Sequence, residues 1–247
     1  MSCDPLIEAA RGALDLVRGL LRENTILGAG TGRTVVAFLN MLSRESPKSI
    51  YVVPSSLDTA LLASRLGFRV LDPRTVESLD VYVDGADEVD ERGFMLKGGG
   101  GAMLGEKIMA YSSSLNVFAV SEDKLVERIG SRRPIPVEVE PGYLAMVLKT
   151  LESMGLRGTL RESVGKKGPL ASDWGGVIVD VETEPLSDPE SLERVLKSVP
   201  GVLETGIFAG YADYVVVGFS RCGYRVLRFE RTKRRQHQSF EQLNPPV

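Results

Sequence analysis

The first half of the chain alternates short apolar segments with helical segments, and this alternation limits the fold more than any other feature. Strand-like composition is found in residues 25–27, 49–56, 68–72, 81–88 and 116–121. Between these segments apolar residues recur at helical spacing, as in residues 57–67, where Gly67 is expected to end the helix. Strands that alternate with helices predict a mostly parallel sheet covered on both faces.

A second pattern begins near Pro134. Strands are expected in residues 134–139, 159–164, 176–182 and 205–209, and helices in residues 143–154 and after an N-cap at Asp188. The order β-α-β-β-α-β is that of ferredoxin-like domains. We therefore predict an α/β protein with a doubly wound, Rossmann-like sheet and a second, smaller ferredoxin-like α+β domain. The predicted boundaries are residues 1–133 plus 210–230, residues 134–209, and a polar tail at 231–247.

Composition argues against several classes of function. The chain has 247 residues and a formal net charge of −3, so it lacks the broad positive field of a nucleic-acid-binding protein. No apolar run reaches the roughly 18–20 residues that span a bilayer, and the first residues lack the pattern of a signal peptide. We expect a cytoplasmic protein without nucleic-acid or membrane partners.

Histidine and cysteine are scarce. His237, the single histidine, lies in a polar stretch, so catalysis is expected to depend on carboxylates, lysines and backbone groups. Cys3 and Cys222 are too few for a disulfide framework or a zinc site. Each is expected to be a free thiol.

Residues 28–34, GAGTGRT, follow a strand and precede a helix. Backbone N–H groups at such a turn favour an anion, and the hydroxyls of Thr31 and Thr34 and the charge of Arg33 add to this preference. A dinucleotide site would need an acidic residue about 20 positions later, where the chain has two serines. A small phosphate group fits better, and a tight turn without a ligand is the alternative.

Acidic residues crowd the carboxyl end of the next buried strand, at Asp84, Asp87, Glu88 and Asp90. Ligands of open α/β sheets bind at that end of the strands. Because clustered carboxylates repel one another, they need a cation, a proton or a catalytic role. A solvated acidic turn is the alternative, and a divalent metal is disfavoured because nearby lysines compete for these acids.

Residues 96–110, LKGGGGAMLGEKIMA, place four glycines between Lys97 and a helix. Glycine lacks a side chain, so the amides of residues 98–101 can approach a ligand closely and form a concave site for negative charge. Binding of a ligand would then explain why the chain carries four consecutive glycines despite their entropic cost.

The helix after the glycines carries Glu106 in its opening turns. Leu104, Ile108 and Tyr111 recur at helical spacing and predict the buried face, which turns Glu106 toward the glycine loop. The alternative is that Glu106 and Lys107 are ordinary surface charges.

Lys124 follows the strand at residues 116–121 and is expected to begin another helix at the same edge of the sheet. A lysine at a helix N-terminus opposes the helix dipole, which a bound anion would explain. A surface lysine is the alternative.

Together these motifs resemble ribose-5-phosphate isomerase type A, over roughly residues 8–220. The motifs are GAGTGRT, VDGADEVD, LKGGGGAMLGEKI and AVSEDKLVERIG–PIPVEVEP. The resemblance implies a metal-independent aldose-ketose isomerase of the pentose phosphate pathway, which interconverts D-ribose 5-phosphate and D-ribulose 5-phosphate through an enediolate. It also implies the two-domain fold, no cofactor, and assembly as a homodimer or homotetramer.

The resemblance implies a role for each matching residue. Glu106 would be the general base, Lys97 would stabilise the enediolate, and Asp84 would assist ring opening. The implied catalytic residues are Glu106, Asp84, Asp87 and Lys97. The implied substrate-binding residues are Thr31, Gly32, Arg33, Thr34, Asp84, Gly85, Ala86, Asp87, Lys97, Gly98, Gly99, Gly100 and Lys124.

The chain departs from the family pattern at three places. Arg33 replaces a serine of the phosphate loop. Leu6 and Ile7 lie where a lysine is common, with Arg11 as a candidate substitute. Trp174, in SDWGG, lies where a TDNGN-like turn is common.

Other functions stay open at this point. One is a non-catalytic sugar-phosphate sensor, which usually carries a DNA-binding helix-turn-helix; the expected start of the sheet near residue 25 leaves no room for one before it. Another is a related amino-sugar-phosphate isomerase or deaminase, or an acyl-CoA transferase. A deaminase would be expected to need a histidine in its site.

Overall fold

The computed structural model describes residues 2–45, 49–165 and 167–233. Their helices are α1 (Pro5–Val17), α2 (Arg33–Leu42), α3 (Leu57–Arg65), α4 (Met103–Ser112), α5 (Leu144–Ser153) and α6 (Pro189–Lys197). Their strands are β1 (Ile26–Ala29), β2 (Tyr51–Pro54), β3 (Arg69–Val70), β4 (Leu79–Asp84), β5 (Glu88–Val89), β6 (Met95–Leu96), β7 (Ser113–Ser121), β8 (Ile135–Val139), β9 (Arg157–Leu160), β10 (Val177–Glu182), β11 (Val202–Thr205), β12 (Ile207–Phe208), β13 (Tyr214–Gly218) and β14 (Tyr224–Arg228). Within this part of the chain, no helix is long and apolar enough to cross a membrane. His237 and the predicted tail beyond residue 233 lie outside the described residues.

Seven strands form the larger sheet, in the order β14-β13-β7-β4-β1-β2-β3. Neighbouring strands are parallel except β13 and β14, which form an antiparallel hairpin at one edge. Alternate residues of β4 face opposite sides: Val81 and Val83 join the core beneath α1, α2 and α3, whereas Tyr82 joins a second core with Met103 and Met109 of α4. The prediction of a doubly wound, mostly parallel sheet is confirmed.

Capping residues fix where two of the helices begin. Asp4 accepts a hydrogen bond from the N–H of Leu6 at 2.9 Å, and Pro5 takes the first helical position of α1. Asp188 caps α6 in the same way, accepting from the N–H of Ser191 at 3.0 Å. The cap predicted at Asp188 is therefore confirmed.

Four strands form the smaller sheet, in the order β11-β8-β10-β9, with every neighbouring pair antiparallel. The helices between these strands, α5 and α6, contribute Val147, Leu151 and Leu196 to the core that the sheet covers. The chain order β8-α5-β9-β10-α6-β11 is the predicted ferredoxin-like pattern. The residue boundaries of the two domains stay a prediction.

The last strand of the smaller sheet was predicted wrongly. It is β11, whereas Ile207 and Phe208, within the predicted strand at 205–209, pair with β6 in a separate sheet of order β12-β6-β5. The chain changes sheets at Gly206, whose N–H donates to Pro136 O at 2.7 Å and whose carbonyl accepts from the N–H of Lys97 at 2.9 Å. A Cβ at Gly206 would lie 2.2 Å from the carbonyl oxygen of Lys97, so only glycine fits.

Cys3 and Cys222 form a disulfide, so the expectation of free thiols was wrong. Their separation of 219 positions in the sequence gave no sign of contact. The fold brings them together because the start of α1 packs beside the β13–β14 hairpin: the N–H of Cys3 donates to Ser220 O at 3.0 Å, and the N–H of Gly223 donates to Glu8 at 2.7 Å.

Reduction of this disulfide is expected to destabilise the protein by about 2–5 kcal/mol, because the unfolded chain gains conformational entropy when the cross-link is removed. Urea unfolding of the wild type with and without a thiol reductant measures the effect. Cys3→Ser is the control: its unfolding midpoint should equal that of the reduced wild type and should not change when the reductant is added. Identical midpoints for the oxidised wild type and Cys3→Ser would contradict the prediction.

Candidate active site

A cavity of about 220 Å³ opens at the carboxyl ends of β1, β4 and β7. The predicted substrate-binding residues on its wall are Thr31, Gly32, Arg33, Thr34, Gly85, Ala86, Asp87, Lys97, Gly98, Gly99, Gly100 and Lys124. Glu106 also lines it, whereas Asp84 is fully buried behind the wall. Motifs that lie far apart in the sequence are thus brought to one crevice.

A lysine between two carboxylates lies at the buried end of the cavity. Lys97 Nζ is 2.7 Å from Asp84 Oδ2 and 3.2 Å from Glu106 Oε2, and it donates to Gly85 O at 2.7 Å. Asp84 ends β4, Lys97 follows β6, and Glu106 lies in the first turn of α4, so three elements meet here. Within the described part of the chain, Glu106 Oε2 faces this ammonium group outside ideal hydrogen-bond geometry, so Glu106 is held less tightly than Asp84.

Burial and neighbouring charges shift the pKa values of this cluster. Burial, reinforced by the negative charge of Asp84 and opposed by Lys97, raises the pKa of Glu106 to about 8. Burial alone would lower the pKa of Lys97, but the carboxylates of Asp84 and Glu106 outweigh it and raise that pKa, so the lysine is a fixed cation. The arrangement therefore combines a carboxyl group that titrates near neutrality with a permanent positive charge.

Asp84 has little freedom to contact a ligand. Its oxygens accept hydrogen bonds from the N–H of Gly85 at 2.7 Å, the N–H of Thr31 at 3.3 Å and the hydroxyl of Tyr82. A Cβ at Gly30 would overlap the Asp84 carboxyl group, so the second glycine of GAGTGRT is what makes room for it. Asp84 therefore joins the phosphate-loop motif to the lysine.

The other acids of the cluster have separate partners. Glu88 accepts from the N–H groups of Gly130 and Arg132 at 2.7 and 2.8 Å, and Asp90 pairs with Arg92 at 2.6 Å. Repulsion is relieved because each carboxylate has its own donors. Among residues 2–45, 49–165 and 167–233, no group of three or more histidine, cysteine or acidic side chains is arranged to hold a metal ion.

The buried face of α4 was predicted wrongly. Ile108 and Tyr111 are 55% and 44% exposed, whereas Glu106 and Lys107 are buried. The error arose because apolar spacing identifies a buried face only when the buried residues are apolar. Lys107 is buried because its ammonium group pairs with two carboxylates of the smaller sheet and α6, Glu193 at 2.6 Å and Glu204 at 2.9 Å.

The glycine loop, residues 98–101, needs its glycines for two reasons. Gly98 and Gly101 have φ angles of 105° and 78°, in the region that favours glycine. The N–H of Gly99 donates to Asp87 Oδ2 at 2.9 Å, and a Cβ at Gly99 would lie 2.8 Å from the other oxygen of that carboxylate. The loop thus passes close against Asp87 on the cavity wall.

The groups expected to bind an anion line the same cavity. Gly32, with φ of 112°, precedes α2 and provides no side-chain cap, so the first amides of the helix are available. Lys124 reaches the same cavity but does not begin a helix; it ends the short 3₁₀ turn Glu122–Lys124. The dipole argument for Lys124 was therefore wrong, although its predicted place at the cavity holds.

Sequence reasoning missed two polar residues on the cavity wall, Ser121 and Arg133. Arg133 precedes the strand motif PIPVEV, and a basic residue beside that motif was an available signal. Leu6 also lines the cavity, whereas Arg11, which pairs with Glu8 on α1, is not on its wall. Trp174 lies against Gly105 of α4, outside this cavity.

The raised pKa of Glu106 predicts how stability depends on pH. In the folded protein Glu106 keeps its proton up to about pH 8, whereas the usual pKa of a glutamate is 4.5. The stability that this group contributes is therefore fully present below pH 4.5 and is lost as the pH rises from 4.5 to about 8. The free energy of unfolding should fall more steeply across this window in the wild type than in Glu106→Gln. Urea unfolding at several pH values measures both proteins. Parallel pH curves would show that Glu106 titrates as an ordinary glutamate.

Comparisons with known proteins show which family this chain belongs to. The family model for Ribose 5-phosphate isomerase A (phosphoriboisomerase A) matches residues 51–221. The ribose-5-phosphate isomerase A of Aeropyrum pernix is 57% identical over 226 residues, which cover 91% of this chain and 95% of that protein.

Solved structures give the same result. Ribose 5-phosphate isomerase A from Methanocaldococcus jannaschii superposes with a TM-score of 0.82 at 33% identity, covering 90% of this chain and 97% of that one. A D-ribose-5-phosphate isomerase in complex with phospho-erythronic acid gives a TM-score of 0.84 at 33% identity, covering 92% of this chain and 100% of that one. The chain therefore belongs to the ribose-5-phosphate isomerase A family.

Proposed function

We propose that this protein interconverts D-ribose 5-phosphate and D-ribulose 5-phosphate, an aldose-ketose isomerisation in pentose phosphate metabolism. The observation that carries the proposal is that one cavity brings together the buried Asp84–Lys97–Glu106 cluster and the backbone and basic groups predicted to bind an anion. An open-chain sugar phosphate has a reactive carbonyl end and a charged phosphate end, and it matches both.

Glu106 is the base in this proposal. Its carboxylate takes the proton from C2 of the open-chain aldose, and the electron pair of that bond moves toward the carbonyl, which gives an enediolate. After a proton moves between the two oxygens, Glu106 returns its proton to C1 and the ketose forms. A pKa near the working pH suits this role, because the group must both accept and release a proton.

Lys97 and the glycine loop stabilise the enediolate. The ammonium group is permanently charged and held beside Glu106, so it needs little rearrangement when negative charge develops on the sugar oxygens. Asp87 and the amides of residues 98–100 lie on the same wall and supply further hydrogen bonds. The positive and polar groups are in place before the substrate binds.

Asp84 acts mainly through Lys97 in this proposal. Its oxygens are already engaged by backbone amides, by Tyr82 and by the lysine, and the residue is fully buried. It holds the ammonium group in place and helps to raise the pKa of Glu106. Ring opening by Asp84 stays a prediction of the family resemblance.

The phosphate is held by residues 31–34 and Lys124, with Arg33 as an additional charge. Among the residues that the structure describes, Lys124 forms one ion pair, at 3.6 Å to the exposed Asp123, so its ammonium group can turn toward a ligand. The expectations of a homodimer or homotetramer, of a cytoplasmic location and of catalysis without a metal also stay predictions.

The alternatives are weaker. Curated relatives of this chain are named as enzymes, which does not favour a non-catalytic sensor. A deaminase was expected to need a histidine, and His237 is the only one in the chain. A coupled assay with ribose 5-phosphate, run beside glucosamine 6-phosphate, tests the choice: turnover of the first alone supports the proposal, and turnover of only the second overturns it.

Glu106→Gln should lose about 10²–10⁴-fold in kcat while it still binds sugar phosphate, because the amide keeps the shape of the side chain but cannot accept the proton. The same assay, with circular dichroism as a check on folding, measures the loss. Glu91→Gln, which makes the same change at an exposed position after the acidic residues 84–90, is the matched control. Near-normal turnover in Glu106→Gln would remove this residue as the base.

Lys124→Ala should raise KM for ribose 5-phosphate by about tenfold or more and change kcat less, because a charged hydrogen bond to the phosphate is lost far from the reacting carbons. Lys149→Ala, on the exposed surface of α5, is the control. Equal KM values in the two variants would contradict a phosphate contact.

A further inference from the structure

Arg161 connects the smaller sheet to the glycine loop. It follows β9, and its guanidinium group forms a two-point ion pair with Asp180 of β10, with Nε 2.8 Å from Oδ2. The remaining nitrogen, Nη1, donates to the carbonyl of Gly98 at 2.7 Å and lies 3.4 Å from the carbonyl of Gly99. Each of the three guanidinium nitrogens of this arginine therefore donates either to a carboxylate or to this loop.

These contacts fix the direction of two peptide groups. In a trans peptide the C=O and the following N–H point in opposite directions. With the Gly98 carbonyl held by Arg161, the N–H of Gly99 points the other way, where it meets Asp87 at 2.9 Å. With the Gly99 carbonyl turned to Arg161, the N–H of Gly100 also points away from the arginine, on the side of the cavity that Gly100 lines.

Such an anchor matters because the loop is made of glycine. Peptide groups between glycines rotate with little steric resistance, so hydrogen bonds must set the orientation of the amides. Within the loop, the N–H of Gly101 donates to the Gly98 carbonyl at a longer 3.2 Å, beside the 2.7 Å contact from Arg161. A preorganised donor stabilises developing charge because it does not have to reorient during the reaction. An external partner for the carbonyls supplies the orientation that the glycine sequence leaves free.

We propose that Arg161 is a positioning residue that holds the glycine loop with its amides directed at Asp87 and at the oxyanion of the enediolate. This inference rests on the proposed isomerase function. Arg161 touches no reacting atom in this account; it acts through the carbonyls of Gly98 and Gly99. Because Asp180 neutralises its charge, its effect comes from orientation rather than from a long-range field.

Arg157 provides a matched control on the same element. It lies in β9 and also pairs with an acid of β10, Glu182, at 3.7 Å. Its side chain is 80% exposed, compared with 20% for Arg161. Comparing Arg161→Met with Arg157→Met therefore separates the loss of a β9–β10 ion pair from the loss of the loop anchor.

The test measures kcat, KM and the binding of two probes. We expect Arg161→Met to lower kcat by about tenfold or more and to weaken binding of phospho-erythronic acid by a similar factor, because the acid group of that probe places negative charge near the loop. Inorganic phosphate reports on the residues proposed to hold the phosphate, 31–34 and Lys124, and its binding should change by less than about twofold. Arg157→Met should match the wild type in every readout.

Three results would overturn the inference: unchanged kcat in Arg161→Met, an equal loss in Arg157→Met, or an equal loss of inorganic phosphate binding. If Arg161→Met does not fold, Arg161→Lys is used instead. This variant keeps the positive charge that faces Asp180 but cannot reach both Asp180 and the Gly98 carbonyl. A wild-type kcat in Arg161→Lys would also overturn the inference. Failure of the proposed function is distinguishable, because the wild type itself would then not convert ribose 5-phosphate.

Discussion

The ion pairs of buried Lys97 with Asp84 and Glu106 are the interaction on which the site depends. An unpaired ammonium group at that depth would cost several kcal/mol, and so would either carboxylate alone. Together they are tolerated, and the excess negative charge is relieved because the pKa of Glu106 rises and this group holds its proton up to a higher pH. The fold thus keeps a titratable carboxyl group beside a cation, which is the combination that enediolate chemistry needs.

The surrounding backbone is shaped to this cluster. Gly30 leaves space for the Asp84 carboxyl group, and Gly206 lets a neighbouring strand pass against the backbone of Lys97. The smaller sheet contributes from its own side: Glu204 pairs with Lys107, the residue after Glu106, and Arg161 binds the glycine loop. Helix α4 and the glycine loop are therefore held by both sheets.

Much of the fold and of the site could be predicted from the sequence because the relevant signals are local. The parallel strands appear as separate apolar runs, and the glycine loop and the acids after β4 stand at strand ends, where such sheets bind ligands. The errors concern signals that are not local. The buried face of α4 depends on Glu193 and Glu204, far along the chain, and the Cys3–Cys222 bond depends on packing of the start of α1 beside the β13–β14 hairpin. The two-residue strands β5, β6 and β12 are too short to show a period.

The most direct test of the central claim is a crystal structure of this protein with phospho-erythronic acid. The account predicts that the acid group of the ligand lies beside Lys97 and the glycine loop, with Glu106 within hydrogen-bonding distance of that end, and that the phosphate lies at residues 31–34 and Lys124. A ligand bound in the reverse direction, or a Glu106 side chain turned to solvent, would contradict it.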